Sequence, residues 1–270
     1  MCFGSNESPC PTDNLYRIIG VFDHKISETQ SEQRVKLIKS DYATSALLGA
    51  DGDYKQAYTA TGYGSSNYKE NNLANIAAYY WNYKNNTTIN DGYGSNTWST
   101  SLLNKTNLNQ NFITNIGADW AAKIADTTWY VGGMSSTQGL SNAKTVYQNE
   151  IVSPVTTNTT DNATTYSAKV GLMYASDYGF AAAPSAWTTK LENYEDAAIK
   201  NVNWMYMGLT EWTLSRFAGD ACGVFRVNYI GFVSNNGANE AFALRPVFYL
   251  SSSVNYVSGS GTAADPISIN

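Results

Sequence analysis

Every apolar segment of this chain is short, and Gly, Asn, Ser, Thr or Pro closes each one before it reaches the roughly 20 residues that span a membrane. Near the N-terminus, residues 15–22 (LYRIIGVF) and 34–38 (RVKLI) flank a polar stretch and read as a hairpin. In the middle, Trp98, Leu102 and Leu103 keep helical spacing behind the polar pair Asn96-Thr97. Trp120 and Ile124 lie one helical turn apart, and TWYVGG leaves that helix as a strand. Alternating or short apolar runs return at 166–174, 211–215, 224–227, 229–233 and 242–250. Helices gathered between strands at both ends predict an α+β domain rather than a βαβ sheet. Residues 1–13 carry Pro9 and Pro11 and read as a flexible tail, so one domain is expected over 14–270. A Gly/Ser/Tyr/Asn-rich insertion runs to about Asn96, and residues 153–165 form a low-complexity loop.

Composition narrows the function. Charged residues make up 14% of the 270 residues, against roughly 25% in an average soluble domain. With a net charge of −5 and no basic cluster, the chain is not expected to bind nucleic acid, which requires grouped Lys and Arg. Its 20 Tyr and 7 Trp, set among Asn, Ser and Gly, suit an adaptable binding face and equally a polar shell over an aromatic core. Cys2 and Cys10 are placed to close a small loop in an oxidising compartment, which leaves Cys222 unpaired. No CxxC occurs and no His lies near the thiols, so no zinc site is expected. His24, the one histidine, sits beside Asp23 and Lys25 without a nucleophile elbow and reads as a solvated turn residue. Glu211, Arg216, Arg226 and Arg245, around Trp212, are expected to form buried charge pairs. Trp98, Trp120, Trp129, Trp187, Trp204 and Trp212 are expected in the core.

The order of LYRIIGVF…VKLIKSDYA, NTWSTSLLN…TTWYVGG, YSAKVGLMYASDYGFA, ALRPVFYL and GSGTAADPISI resembles the C-type-lectin-fold surface proteins of gut Firmicutes. Many of these resemble target proteins diversified by retroelements, and some carry a prepilin-like helix upstream. The resemblance spans residues 14–270 and implies a C-type lectin-like fold shared with formylglycine-generating enzymes. It further implies that the first and last strands pair, placing LYRIIGVF beside PISI. A variable, outward-facing region would lie near the C-terminus, here about 216–243. Within it, Val224, Phe225, Val227, Gly231, Val233 and Phe242 read as framework. The residues between them, Phe217, Asp220, Cys222, Asn228, Tyr229, Phe232, Ser234, Asn235, Asn236, Asn239 and Glu240, are the candidate ligand contacts.

The same resemblance sets the rivals. Lectins of this fold that hold sugars through calcium carry EPN or QPD with WND, and the nearest fragment here is WNY at Trp81. Asp41, Asp51 and Asp53 offer oxygens for calcium, but an Asp-Gly turn explains ADGDY more economically, so no metal or cofactor is expected. Formylglycine-generating enzymes use paired active-site cysteines, which Cys222 lacks, so the chain is expected to be non-enzymatic. The expectation is a receptor or adhesin at the bacterial cell surface, outside the cell, binding a protein or glycan on another cell or phage. A phage tail receptor-binding protein, or a fixed carbohydrate-binding or structural surface domain, is the alternative. No membrane contact is expected from this chain itself.

Overall fold

A computed structural model describes residues 1–25, 29–57, 76–83, 94–134, 141–154 and 164–270. Most of the Gly/Ser/Tyr/Asn-rich insertion and of the 153–165 loop lies outside the described residues. The strands in chain order are β1 (Tyr16–Lys25), β2 (Ser31–Lys39), β3 (Tyr54–Ala57), β4 (Ala77–Tyr80), β5 (Thr127–Tyr130), β6 (Gly133–Met134), β7 (Thr165–Ala168) and β8 (Val170–Gly171). They continue with β9 (Glu211–Phe217), β10 (Gly223–Val227), β11 (Val233–Gly237), β12 (Ala241–Phe242), β13 (Val247–Tyr249), β14 (Tyr256–Ser258) and β15 (Ser268–Ile269). Together with short helices they form a mixed α+β architecture of several small sheets.

The predicted hairpin is β1–β2, antiparallel from Tyr16↔Lys39 to Lys25↔Ser31. It is longer than its apolar letters suggest, because polar 23–25 and 31–34 extend the ladder. His24 therefore lies on β1, paired with Glu32, rather than in a turn. The sheet continues in the order β1-β2-β13-β8, which buries Leu37 and Ile38 between two neighbours. A second sheet runs β11-β10-β9-β6, antiparallel except for the β6–β9 pair, and a third runs β12-β4-β3.

The central helical stretch is longer and wider-wound than the apolar spacing predicts. A 3-10 turn at Trp98–Thr100 leads into π-type turns over Leu103–Phe112. Leu103, Leu108 and Phe112 enter the core, and Asn104 and Asn107 are buried with them. Asn107 is satisfied because its amide donates to Leu48 O (2.8 Å) and Asp51 O (2.9 Å). Asp53, weighed above as a calcium ligand, instead accepts from the backbone N–H groups of Leu102 (2.8 Å) and Leu103 (3.0 Å) at the start of this stretch. Gly52, at φ +69°, makes the turn before it.

Two expectations fail at the N-terminus. Residues 1–13 are not a detached tail: Phe3 is 0% exposed and packs against Phe248, Trp120 and Tyr16, with ring centroids 4.7, 5.0 and 5.6 Å away. A Cys2–Cys10 disulfide closes the loop above it. Nor do the first and last strands pair, since β1 pairs with β2 and β15 with β14. The N-terminal residues come between: Phe3 N donates to Asn14 O (2.8 Å), and Cys2 N donates to Ile267 O (2.9 Å). One aromatic plug thus fills the seam where the direct ladder was expected.

Among the tryptophans, Trp98, Trp129 and Trp212 are buried, while Trp120 and Trp204 are partly buried against the core. Trp187 is the exception at 37% exposed, edge-on to the similarly exposed Phe180.

Candidate functional site

The region 216–243 folds as a meander, β9–β10–β11, in which β10 is buried throughout and β9 is buried up to Arg216. Buried strands present nothing to a ligand. The candidate side chains therefore fall on the edge strand β11 and on three turns at 217–223, 228–232 and 237–241. Five paired residues at about 3.3 Å each separate the turns at the two ends by roughly 17 Å.

The first turn is fixed from outside. Asn96 is fully buried, and its amide nitrogen reaches Phe217 O (2.9 Å), Asp220 O (3.0 Å) and Gly223 O (3.1 Å). Its backbone N–H donates to Ala221 O (2.9 Å). Asp220 Oδ1 accepts from the N–H groups of Cys222 (2.9 Å) and Gly223, an Asx-type turn that spends the carboxylate on the backbone. Phe217 lies half-buried, edge-on to Phe225 and directly over Gly219, where an added Cβ would meet the ring at 2.0 Å. Cys222 is also half-buried. Burial, and then the Asp220 carboxylate, push its thiol up to about 11, so it stays protonated at neutral pH.

The second turn corrects one candidate. Asn228 is 4% exposed and is not a surface contact. Its Oδ1 accepts from Ile230 N (3.0 Å), its carbonyl from Gly231 N (2.8 Å), and its own N–H donates to Phe232 O (2.7 Å). The residue builds the turn, with Gly231 at φ +109° completing it. Two tyrosines from elsewhere clamp the same backbone: Tyr178 OH donates to Gly231 O (2.7 Å) and Tyr206 OH to Tyr229 O (2.6 Å). Tyr229 and Phe232 are themselves half-buried.

Along β11, Asn235 is exposed and Ser234 and Asn236 are half-buried. Asn236 Oδ1 accepts from Arg226 Nε (3.2 Å), whose guanidinium lies 5.5 Å from the Phe242 ring centre. In the third turn, Glu240 is exposed and Asn239 half-buried. Backbone bonds from Asn82 N to Ala238 O (3.0 Å) and from Ala238 N to Cys222 O (2.9 Å) tie this turn to the first. Gly94 packs so close that a Cβ there would sit 2.8 Å from Asn239 N.

One of the expected charge pairs forms. Arg245 grips Glu211 bidentately, Nε to Oε1 at 2.8 Å and a terminal nitrogen to Oε2 at 2.9 Å, with both side chains buried. Arg216 Nε donates instead to Val131 O (3.0 Å), and Arg226 Nε donates to Asn236 as above.

Sequence reasoning missed the clamps. Asn96 reads as a helix cap, and its true partners lie more than 120 residues away. Tyr178 and Tyr206 bond to a turn 53 and 23 residues distant, beyond any local pattern. No protein-family model, no curated protein and no solved structure matches this chain.

Proposed function

We propose that the chain is a non-enzymatic ligand-binding protein of C-type lectin-like fold, displayed outside a bacterial cell, whose face at 216–243 is diversified by a retroelement to vary what it recognises. One observation carries this reading. The backbone of the turns at both ends of β10–β11 is held by Asn96, Tyr178 and Tyr206, none of which belongs to the candidate set. On that fixed backbone Asn235 and Glu240 are exposed, and residues 217, 222, 229, 232, 234 and 239 are half-buried. Substitution there changes the surface while the scaffold keeps its bonds.

Two further features agree. Burial and the Asp220 carboxylate keep the Cys222 thiol protonated at neutral pH, which suits a contact residue. The Cys2–Cys10 disulfide suits an oxidising compartment outside the cell. Half-buried Tyr229 and Phe232 supply the aromatic anchors that dominate protein interfaces, and exposed Asn235 and Glu240 supply the polar rim.

The test is a library randomised at those eight positions and displayed on a heterologous surface. Most members should fold, judged by display level and protease resistance, and selection against cell-surface proteins and glycans should return binders. A library whose members mostly unfold contradicts the reading.

A further inference from the structure

Far along the chain from that face, β1, β2, β5 and the short helix Ala175–Phe180 enclose a pocket of about 780 Å³ that the proposed function does not use. Its volume falls within the roughly 300–1,000 Å³ of small-molecule sites. The walls are aromatic: Trp129 and Tyr174 are buried, whereas Tyr130 at 38% and Phe180 at 36% stand exposed at the mouth. The Trp129 Nε1–H is already bound to Ala168 O (3.1 Å), and the Tyr174 hydroxyl already accepts from Tyr130 N (2.9 Å). Trp129 therefore offers its face and edge but no donor, whereas the Tyr174 hydroxyl, an acceptor in that bond, still has its O–H to give.

The polar end is a buried ion pair. Lys36 Nζ lies 2.6 Å from Asp177 Oδ2 and 4.6 Å from the Tyr174 ring centre. Burial alone lowers the ammonium, but Asp177, aided by Tyr249, outweighs it and holds Lys36 raised and charged. Asp177 Oδ2 also accepts from Tyr174 N (2.8 Å), so both bonds land on one oxygen. Among the described residues none donates to Oδ1, although Asp177 lines the pocket. The lining charges cancel, with Asp23 and Asp177 against Lys25 and Lys36, while burial and then Arg34 lower His24 toward its neutral form.

We propose that this pocket binds a small neutral aromatic ligand that carries an N–H or O–H donor on its ring edge. The ring packs among Trp129, Tyr130, Tyr174 and Phe180, in the offset or edge-to-face contacts that aromatic rings favour. The edge donor reaches Asp177 Oδ1. A charged ligand would upset the balanced lining and pay for desolvation. A saccharide would need polar partners for each of its hydroxyls, where most of the wall is aromatic or aliphatic.

Indole is the probe, titrated into the 270-residue chain by calorimetry and ligand-observed NMR, with 1-methylindole and maltose as comparators. Indole should bind, 1-methylindole should bind at least tenfold more weakly because its donor is blocked, and maltose should not bind. Phe180→Ala and Tyr130→Ala, at the exposed mouth, should each weaken indole at least fivefold with unchanged melting temperature. Asn235→Ala, on the other face, should leave indole binding unchanged, so failure here is distinct from failure of the receptor reading. No indole binding, equal affinity for 1-methylindole, saturable maltose binding, or a loss of indole affinity in Asn235→Ala would each overturn the proposal.

Discussion

Replacing Asn96 with alanine should loosen the candidate face without touching any residue on it. The amide nitrogen has two hydrogens and serves three carbonyls, those of Phe217, Asp220 and Gly223, at 2.9 to 3.1 Å. Gly223 is buried, so its carbonyl would lose its partner without gaining water, at about 1–3 kcal/mol. Phe217 and Asp220 are half-buried, and water can replace part of what their carbonyls lose. A small void where the amide stood adds to the cost. The sum is roughly 2–4 kcal/mol, read as a shift of the urea midpoint at unchanged slope. Hydrogen exchange should localise the damage, with the amides of Cys222 and Gly223 losing protection before those of β2. Asn235→Ala is the control, because its exposed side chain places it within about 0.5 kcal/mol of wild type. Should Asn96→Ala prove no more destabilising than Asn235→Ala, the turn is not held as described and the fixed-scaffold reasoning falls.

Other substitutions probe separate parts of the account. Tyr229→Ala and Phe232→Ala should keep the wild-type melting temperature within a few degrees and lose binding to a selected ligand; unfolding of either would mean that the side chain is core. Trp212, fully buried with its Nε1–H on Tyr79 O (2.9 Å), should cost roughly 3–5 kcal/mol on truncation to alanine, measured by urea denaturation. Burial pushes the Glu150 carboxyl from 4.5 up to about 7 against the donors of Ser176 and Ser215, a difference worth roughly 3 kcal/mol. Because the folded value is raised, this contribution is present below about pH 4.5 and is lost as pH rises through 7. Relative to Glu150→Gln, the wild type should therefore be less stable at pH 8 than at pH 5, and a constant difference between those pH values would refute the assignment.

Local signals were legible where partners are close in sequence or chemically distinctive. The apolar letters of 15–22 and 34–38 locate β1–β2, and TWYVGG locates β5 and the turn to β6. Charge is scarce in this chain, so Glu211 and Arg245 beside apolar runs made a pair legible although not its geometry. Phe3 was illegible because one aromatic among Ser, Asn, Glu and Pro has no periodicity, and its partners Trp120 and Phe248 come from distant segments. Asn228 was misplaced because strand alternation was extended through it, whereas the chain turns there and the amide folds back on its own backbone. The pairing of the first and last strands comes from the resemblance alone, and residues 1–3 take that seam through long-range backbone bonds that leave no composition signal.

The most direct test of the central claim is to sequence codons 210–250, with codons 96, 178 and 206, across a growing population of the source organism. A diversified face on a fixed scaffold predicts substitutions concentrated in the codons for Phe217, Cys222, Tyr229, Phe232, Ser234, Asn235, Asn239 and Glu240, with Asn96, Tyr178, Tyr206 and codons 244–250 unchanged. An invariant stretch across 217–240, or variation that reaches the three clamps as often as the face, would contradict it.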